Sequence, residues 1–183
     1  MLQFPKPYAD FVARLRVPSG FLLAIVFAWL SHPSARSLAC GFPVAIAGLA
    51  LRAWAAGCLA KNRQLSTSGP YAYTRNPLYL GTLVVAAGLV IASRNPGLGA
   101  LFAAVFIFIY LPVIQLEQQH LRNLFPGYAE YAARVPALLP RLTPGPRKNS
   151  HPFQIRLYLT NKEYQAGAGL LAGMLFLLWR LAA

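Results

Sequence analysis

Residues 78–116 read LYLGTLVVAAGLVIASRNPGLGALFAAVFIFIYLPVIQL, with Arg94 the sole charged residue. Two apolar runs, Leu78–Ser93 and Leu98–Leu116, flank the link Arg94-Asn95-Pro96-Gly97. A helix rising about 1.5 Å per residue needs about 20 mostly apolar residues to cross the hydrocarbon core of a bilayer. Inside lipid every backbone N–H and C=O must find its partner within the segment or its neighbours, so runs of this kind become helices. A link so short, built on Pro and Gly, leaves room only for a tight turn. The stretch therefore predicts an antiparallel hairpin of two spans, the second kinked at Pro112.

Working outward, three more apolar runs follow the same rule. Leu38–Ala60 is rich in Ala and Gly, which suits close helix packing. Val17–Ser31 has Pro18 where a helix can begin, with Phe11–Arg16 as an interfacial helix before it. Gln165–Leu181 carries Gly169 and Gly173 in a small-xxx-small pattern. The expectation is an all-α, polytopic membrane protein of about five transmembrane helices, one domain over residues 1–183. Composition agrees: 57% of residues are hydrophobic and 11% charged, against about 25% charged in soluble domains. Any active site has to be built from helix ends and loops.

Two polar segments interrupt the apolar runs, Lys61–Pro77 and Glu117–Tyr164. The second reads as an amphipathic helix around Gln118–Arg134, then an extended Pro-containing stretch. Thr143–Tyr164, with Phe153, Leu157 and Tyr158 among basic residues, reads as a lid or a membrane-surface segment.

The net charge is +13 and the isoelectric point about 10.5. The basic residues flank the apolar runs, as the positive-inside rule requires, and no groove-reading motif accompanies them, so no nucleic-acid partner is expected. With the N-terminus in the cytosol, thirteen of the seventeen Lys and Arg fall on the cytosolic side, Arg147 and Lys148 among them. Arg36, Arg94 and Arg180 fall on the other side. Arg52 lies inside a span, within snorkelling reach of the cytosol. This topology, in a bacterial inner membrane, puts both polar segments on the face where soluble metabolites are. Cys40 and Cys58 share one span about 27 Å apart and cannot bridge each other. His32, His120 and His151 fall on separate faces or loops, so no metal site is expected. No cleaved signal peptide is read.

The first polar segment ends in Gly69-Pro70-Tyr71-Ala72-Tyr73-Thr74-Arg75-Asn76-Pro77-Leu78-Tyr79-Leu80-Gly81. Gly-Pro makes a turn, and Asn76-Pro77 offers a helix N-cap with Pro at the first helical position. Arg75 and the tyrosines then stand at a helix mouth, where the positive helix end and the guanidinium favour an anionic group. An interfacial aromatic belt with a snorkelling arginine would read the same way. The second segment opens with Gln115-Leu116-Glu117-Gln118-Gln119-His120-Leu121, and Glu117 is one of only four acidic residues. A carboxylate where an apolar helix meets the cytosol suits an ammonium or a ribose hydroxyl; the alternative is a solvated helix end paired with Arg122.

Together the two stretches resemble the isoprenylcysteine carboxyl methyltransferase and phospholipid methyltransferase superfamily. Its usual form is G-P-Y-x-x-x-R-[HN]-P-x-Y-x-G, followed by Glu-Glu...Leu, Phe-Gly, spaced tyrosines and Val-Pro. Here the later part is Glu117-Gln118-Gln119-His120-Leu121, Phe125-Pro126-Gly127-Tyr128, Tyr131 and Val135-Pro136, and the resemblance covers roughly Leu51 to Pro140. Asn76 stands where eukaryotic members usually have His, Gln118 where a second Glu is common, and Phe125-Pro126 where Phe-Gly is usual.

The resemblance implies a cytosol-facing pocket for S-adenosylmethionine, released as S-adenosylhomocysteine. It implies Arg75 and Glu117 as the residues that carry the reaction, with Tyr73, Asn76, Pro77, Tyr79, Leu80, His120 and Tyr128, and less directly Tyr71, lining the cofactor site. A hydrophobic acceptor, a lipid or a prenylated molecule, would enter from the bilayer between helices. The best expectation is an isoprenylcysteine-like carboxylate, the alternatives a phospholipid amine or a thiol. The sulfonium carries its own leaving group, so no catalytic triad is required. A sterol-type reductase using NADPH shares part of the motif, but Leu78 and Thr82 replace the Asn and Glu of that pattern. A non-catalytic membrane protein is the reading from a different class.

Overall fold

The computed structural model describes residues 4–145 and 152–182, so Arg147, Lys148 and His151 lie outside the described residues. Helix α1 is Lys6–Leu30, α2 Ala35–Gly57, α3 Pro77–Ser93 and α4 Pro96–Val105. A π-helical turn, Phe106–Tyr110, joins α4 without a break to α5, Leu111–Leu124. The short helices α6, Tyr128–Arg134, and α7, Ile155–Thr160, precede α8, Tyr164–Ala182. α1, α2, α8 and the continuous Pro96–Leu124 are long and apolar enough to cross a membrane, and α3 is a shorter apolar helix of 17 residues. No strand occurs among the described residues. The chain is an all-α polytopic membrane protein, as its apolar runs predict.

The predicted hairpin forms. Arg94 closes α3 in the left-handed region (φ 56°), and the Asn95 side chain accepts from Gly97 N at 2.9 Å to cap α4. Two expectations need correction. Pro18 does not start a helix: α1 runs through it from Lys6, so Phe11–Arg16 is the first part of the span rather than a separate interfacial helix. Packing against α4, the π turn and α5 holds α1 together across the N–H that Pro18 lacks. Secondly, the amphipathic stretch does not begin a new helix at Gln118. The span continues to Leu124, breaks at Phe125-Pro126-Gly127 and resumes as α6. The segment before the last span, read from sequence as a lid or a membrane-surface segment, is docked against the end of α2. Asn161 Nδ2 donates to the Ala56 and Leu59 carbonyls, both at 2.9 Å, and Gln154 N to the Gly57 carbonyl at 2.9 Å. These bonds satisfy the orphan carbonyls of the α2 C-terminus.

Pro112 is accommodated by the π turn immediately before it. Lacking an N–H, Pro112 leaves the Phe108 carbonyl without its usual donor four residues on. The Tyr8 hydroxyl of α1 supplies one at 2.7 Å.

The α2–α3 pair is the tightest contact in the molecule, and its sequence cause is a set of glycines. Gly41 and Gly48 of α2 face Gly88 and Gly81 of α3. A Cβ on Gly48 would fall 2.6 Å from Val85 N, and one on Gly88 would fall 2.6 Å from the Gly41 carbonyl oxygen. The helices therefore meet backbone to backbone. By contrast, Gly169 and Gly173 on α8 have nothing within 4 Å of such a Cβ. Gly88→Ala is expected to destabilise by about 1–3 kcal/mol through overpacking, whereas Gly173→Ala should be neutral or stabilising by up to about 1 kcal/mol through helix propensity. Detergent titration of both variants checks the contrast; equal stabilities would refute the packing argument.

Apolar side chains face both ways, as a membrane requires. Leu98 and Leu177 are fully buried in a cluster with Phe27, Leu38 and Ala92, while Phe21, Leu22, Trp29, Leu175 and Trp179 are exposed. At the opposite end of the bundle the helix ends part to leave a cavity.

Candidate functional site

That cavity measures about 820 Å³, and the loop of residues 59–66 lines it together with four further walls. The first is the turn Gly69–Ala72 and the start of α3. After α6 the chain runs extended along this segment: Arg75 N donates to the Pro136 carbonyl at 2.9 Å, Arg141 N to the Tyr73 carbonyl at 3.0 Å, and Gly145 N to the Ala72 carbonyl at 2.8 Å. These bonds hold the motif rigid outside any regular element, and they aim Arg75 inward. Its Nη1 lies 3.4 Å from both Gln118 Oε1 and the Tyr128 hydroxyl, while its Nε is buried without a hydrogen-bond partner among the described residues. A guanidinium with spare donors facing a cavity is oriented for something the protein does not supply.

Asn76 occupies the N-cap position of α3 but does not cap it with its side chain, correcting the sequence expectation. Its Nδ2 donates instead to the Ala137 carbonyl at 2.7 Å, so the residue anchors the extended segment while lining the cavity.

The second wall is α5. Glu117, His120 and Leu121 are spaced to share one helical face, and all three line the cavity. Glu117 is not at a helix end, since α5 continues to Leu124, and no ion pair joins it to Arg122 among the described residues. Its carboxylate faces the Tyr79 hydroxyl without reaching full hydrogen-bond geometry. Tyr128 and Tyr131 of α6 continue the wall, and the Tyr131 hydroxyl donates to the Tyr71 carbonyl at 2.7 Å. Burial raises the pKa of the Tyr71 and Tyr131 phenols well above the ordinary value. It raises Tyr128 as well, against the lowering pull of Arg75. These phenols keep their protons at neutral pH.

The third wall was not foreseen. Arg52 of α2 does not snorkel to the surface. Its Nε lies 2.6 Å from Glu163 Oε1 and its Nη2 3.1 Å from Oε2, and Nη1 bonds the Thr82 hydroxyl and the Leu78 carbonyl. The Glu163 side chain is only 7% exposed. The fourth wall is Arg16 of α1 with Tyr110 of the π turn. The cavity thus gathers Arg75, Asn76, Pro77, Tyr79, Glu117, His120, Tyr128 and Tyr71, while Tyr73 and Leu80 are not part of its lining. No cluster of three or more metal-ligating side chains occurs among the described residues.

Residues 19–127 match the phospholipid methyltransferase family. The chain belongs to that family. A cobalt-zinc-cadmium resistance protein, CzcN, of Cupriavidus metallidurans is 42% identical over 83 residues, 45% of this chain and 38% of that protein. A nickel-cobalt-cadmium resistance protein, NccN, of Alcaligenes xylosoxydans xylosoxydans is 32% identical over 154 residues, 76% of this chain and 71% of that protein. The chain thus spans well under half the length of the first relative and about seven tenths of the second. No solved structure matches. For a methyltransferase-family chain a methyl donor is implied, and the cavity fits a charged one. It offers the Arg75 guanidinium to an anion, the Glu117 carboxylate to a cation, and protonated phenols in the same lining.

Proposed function

We propose that this membrane protein transfers a methyl group from S-adenosylmethionine to a lipophilic acceptor, by best reading an isoprenylcysteine-like carboxylate. The observation that carries the reading is that Arg75 and Glu117, from different walls, line one cavity. Arg75 would hold the carboxylate of the donor's amino-acid moiety, and Glu117 its ammonium or a ribose hydroxyl, both as charge-assisted hydrogen bonds. Tyr79, His120 and Tyr128 would complete the lining. The donor's sulfonium brings both the methyl group and its leaving group. An acceptor carboxylate oxygen forms the new C–O bond with its own lone pair as the C–S bond breaks, so no proton moves. The task left to the chain is to align the reactants and exclude water.

In this reading the N-terminus and the cavity face the cytosol of a bacterial inner membrane, where the donor is dissolved. The acceptor arrives laterally through the bilayer. The family description favours a phospholipid amine, attacking as the neutral amine after losing a proton to water, as the second acceptor class, and S-methylation of a thiolate uses the same alignment. Family membership weighs against a sterol-type reductase or a non-catalytic protein.

Calorimetry on the detergent-purified protein tests the reading. S-adenosylmethionine and S-adenosylhomocysteine are expected to bind saturably, and Glu117→Ala or Arg75→Ala to weaken binding tenfold or more, about 1.4 kcal/mol. Folded protein that binds neither, or that binds NADPH instead, would overturn it.

A further inference from the structure

Two arginines of the membrane-crossing helices line the cavity, and they are treated differently. Arg52 is neutralised by Glu163. Arg16 has no carboxylate at ion-pair distance among the described residues. Instead its guanidinium lies over two aromatic faces, 5.8 Å from the Tyr79 ring centroid and 5.9 Å from that of Tyr110. Arg16 closes the charged first part of α1, after Lys6, Asp10 and Arg14 and directly before the apolar run that begins at Val17, and its side chain is exposed. At the mouth of the cavity such a cation is free to take an anion. The ring faces balance only part of its charge.

The surroundings point the same way. Tyr110 is carried by the π turn, an irregularity that recurs at functional sites, and the neighbouring Ile107 and Phe108 are exposed as lipid-facing side chains. This corner is therefore the one where the cavity lies beside bilayer-facing helix surface. Arg75 and Glu117 already meet the charges of the donor in the reading above, so Arg16 is left over. It also lies outside the stretch matched to the family, residues 19–127.

We propose that Arg16 anchors the anionic group of the acceptor, making the Arg16–Tyr79–Tyr110 corner the acceptor subsite; the assignment rests on the methyl-transfer reading. The acceptor is then a lipophilic molecule with a negative charge near its methyl-accepting atom, a carboxylate or a lipid phosphate. A guanidinium takes either by paired hydrogen bonds, and Tyr79 and Tyr110 flank the entering chain. Arg16 is a positioning residue that draws the acceptor anion to the cavity.

The test is binding to the full chain in detergent, with and without S-adenosylhomocysteine. N-acetyl-S-farnesylcysteine is compared with its carboxamide, and dihexanoylphosphatidylethanolamine with dihexanoylglycerol. In the wild type at least one charged probe should bind tenfold or more tightly than its neutral counterpart, and the pair that discriminates identifies carboxylate or phosphate. Arg16→Gln should abolish that discrimination and Arg16→Lys should retain part of it. Both should keep S-adenosylhomocysteine affinity within twofold. Equal binding of charged and neutral probes, binding of none, or loss of S-adenosylhomocysteine affinity in Arg16→Gln overturns the assignment. Charge discrimination lost in Arg16→Gln, in a wild-type protein that binds no S-adenosylhomocysteine, would keep the anion site and remove the methyl-transfer reading.

Discussion

Glu163→Ala is expected to destabilise the protein by about 3–5 kcal/mol, the usual result of removing one partner from a buried ion pair. The Glu163 carboxylate takes two bonds from Arg52, at 2.6 and 3.1 Å. Without it the guanidinium keeps only the Thr82 hydroxyl and the Leu78 carbonyl, and a positive charge remains unpaired between apolar helices. The effect should reach beyond the pair. Glu163 immediately precedes α8, and Arg52 lies on α2 against the start of α3, so one ion pair fastens the last span to the Gly-packed pair. Arg52→Ala should cost a similar amount, because it strands a carboxylate whose side chain is 7% exposed. The double variant Arg52→Met/Glu163→Leu should recover most of the loss, since apolar groups of similar volume need no counter-charge. Unfolding of the two single variants and the double one by sodium dodecyl sulfate titration gives the coupling energy directly. Single variants within 1 kcal/mol of the wild type, allowing for the 22% exposure of the Arg52 side chain, would mean that solvent already screens the pair.

That pair also marks where the sequence stops being legible. Arg52 and Glu163 are 111 residues apart; Arg52 alone reads as a snorkelling cation, and nothing in the sequence singles out Glu163. Only packing brings them together. The spans were readable because lipid leaves the backbone few alternatives, so hydropathy and length alone locate them. Pro77 marks the start of α3 as read, but Pro18 was a poor guide. Pro18 and Pro43 sit inside α1 and α2, because neighbouring helices and nearby side chains can satisfy the carbonyls that a proline strands; Tyr8 does this for the Phe108 carbonyl before Pro112. The segment from Gly69 to Gly81 located one wall of the cavity, since its residues act through local sequence. Even there, Tyr73 and Leu80 turn away from the lining while Arg75, Asn76, Pro77 and Tyr79 face it. Spacing within a motif fixes which residues are neighbours in the chain; the extended segment from Pro136 to Gly145 fixes how they are presented. Arg16 was unreadable for another reason: its place over the Tyr79 and Tyr110 rings in the cavity wall comes from the packing of α1, not from its neighbours in the chain.

Arg75→Lys is expected to lower kcat/KM for methyl transfer by about 100-fold, about 2.7 kcal/mol of transition-state stabilisation, with little change in fold stability. The substitution keeps the charge, so a loss of this size would come from geometry. A guanidinium presents five donors in a fixed plane, an ammonium a point charge on a flexible stem. In this cavity the plane is set by three features: the backbone bond from Arg75 N to Pro136 O at 2.9 Å, and the two 3.4 Å approaches of Nη1 to Gln118 and Tyr128. Those two long bonds use the donors of Nη1 and orient the group, while the buried Nε has no partner among the described residues. Lysine retains the backbone bond, which is why the fold should survive. It cannot offer Nε and Nη to one anion together, so the bound donor would lose its alignment, and small misplacements of reacting groups are costly. Transfer of labelled methyl from S-adenosylmethionine into the lipid extract of membranes carrying the protein measures the rate. Asn76→Ala is the comparison: its 2.7 Å bond to Ala137 serves the extended segment, so that variant should lose stability and reduce donor binding only through a loosened Arg75. A rate within threefold of wild type for Arg75→Lys would show that charge alone suffices at that position, and that the fork is not what holds the methyl donor.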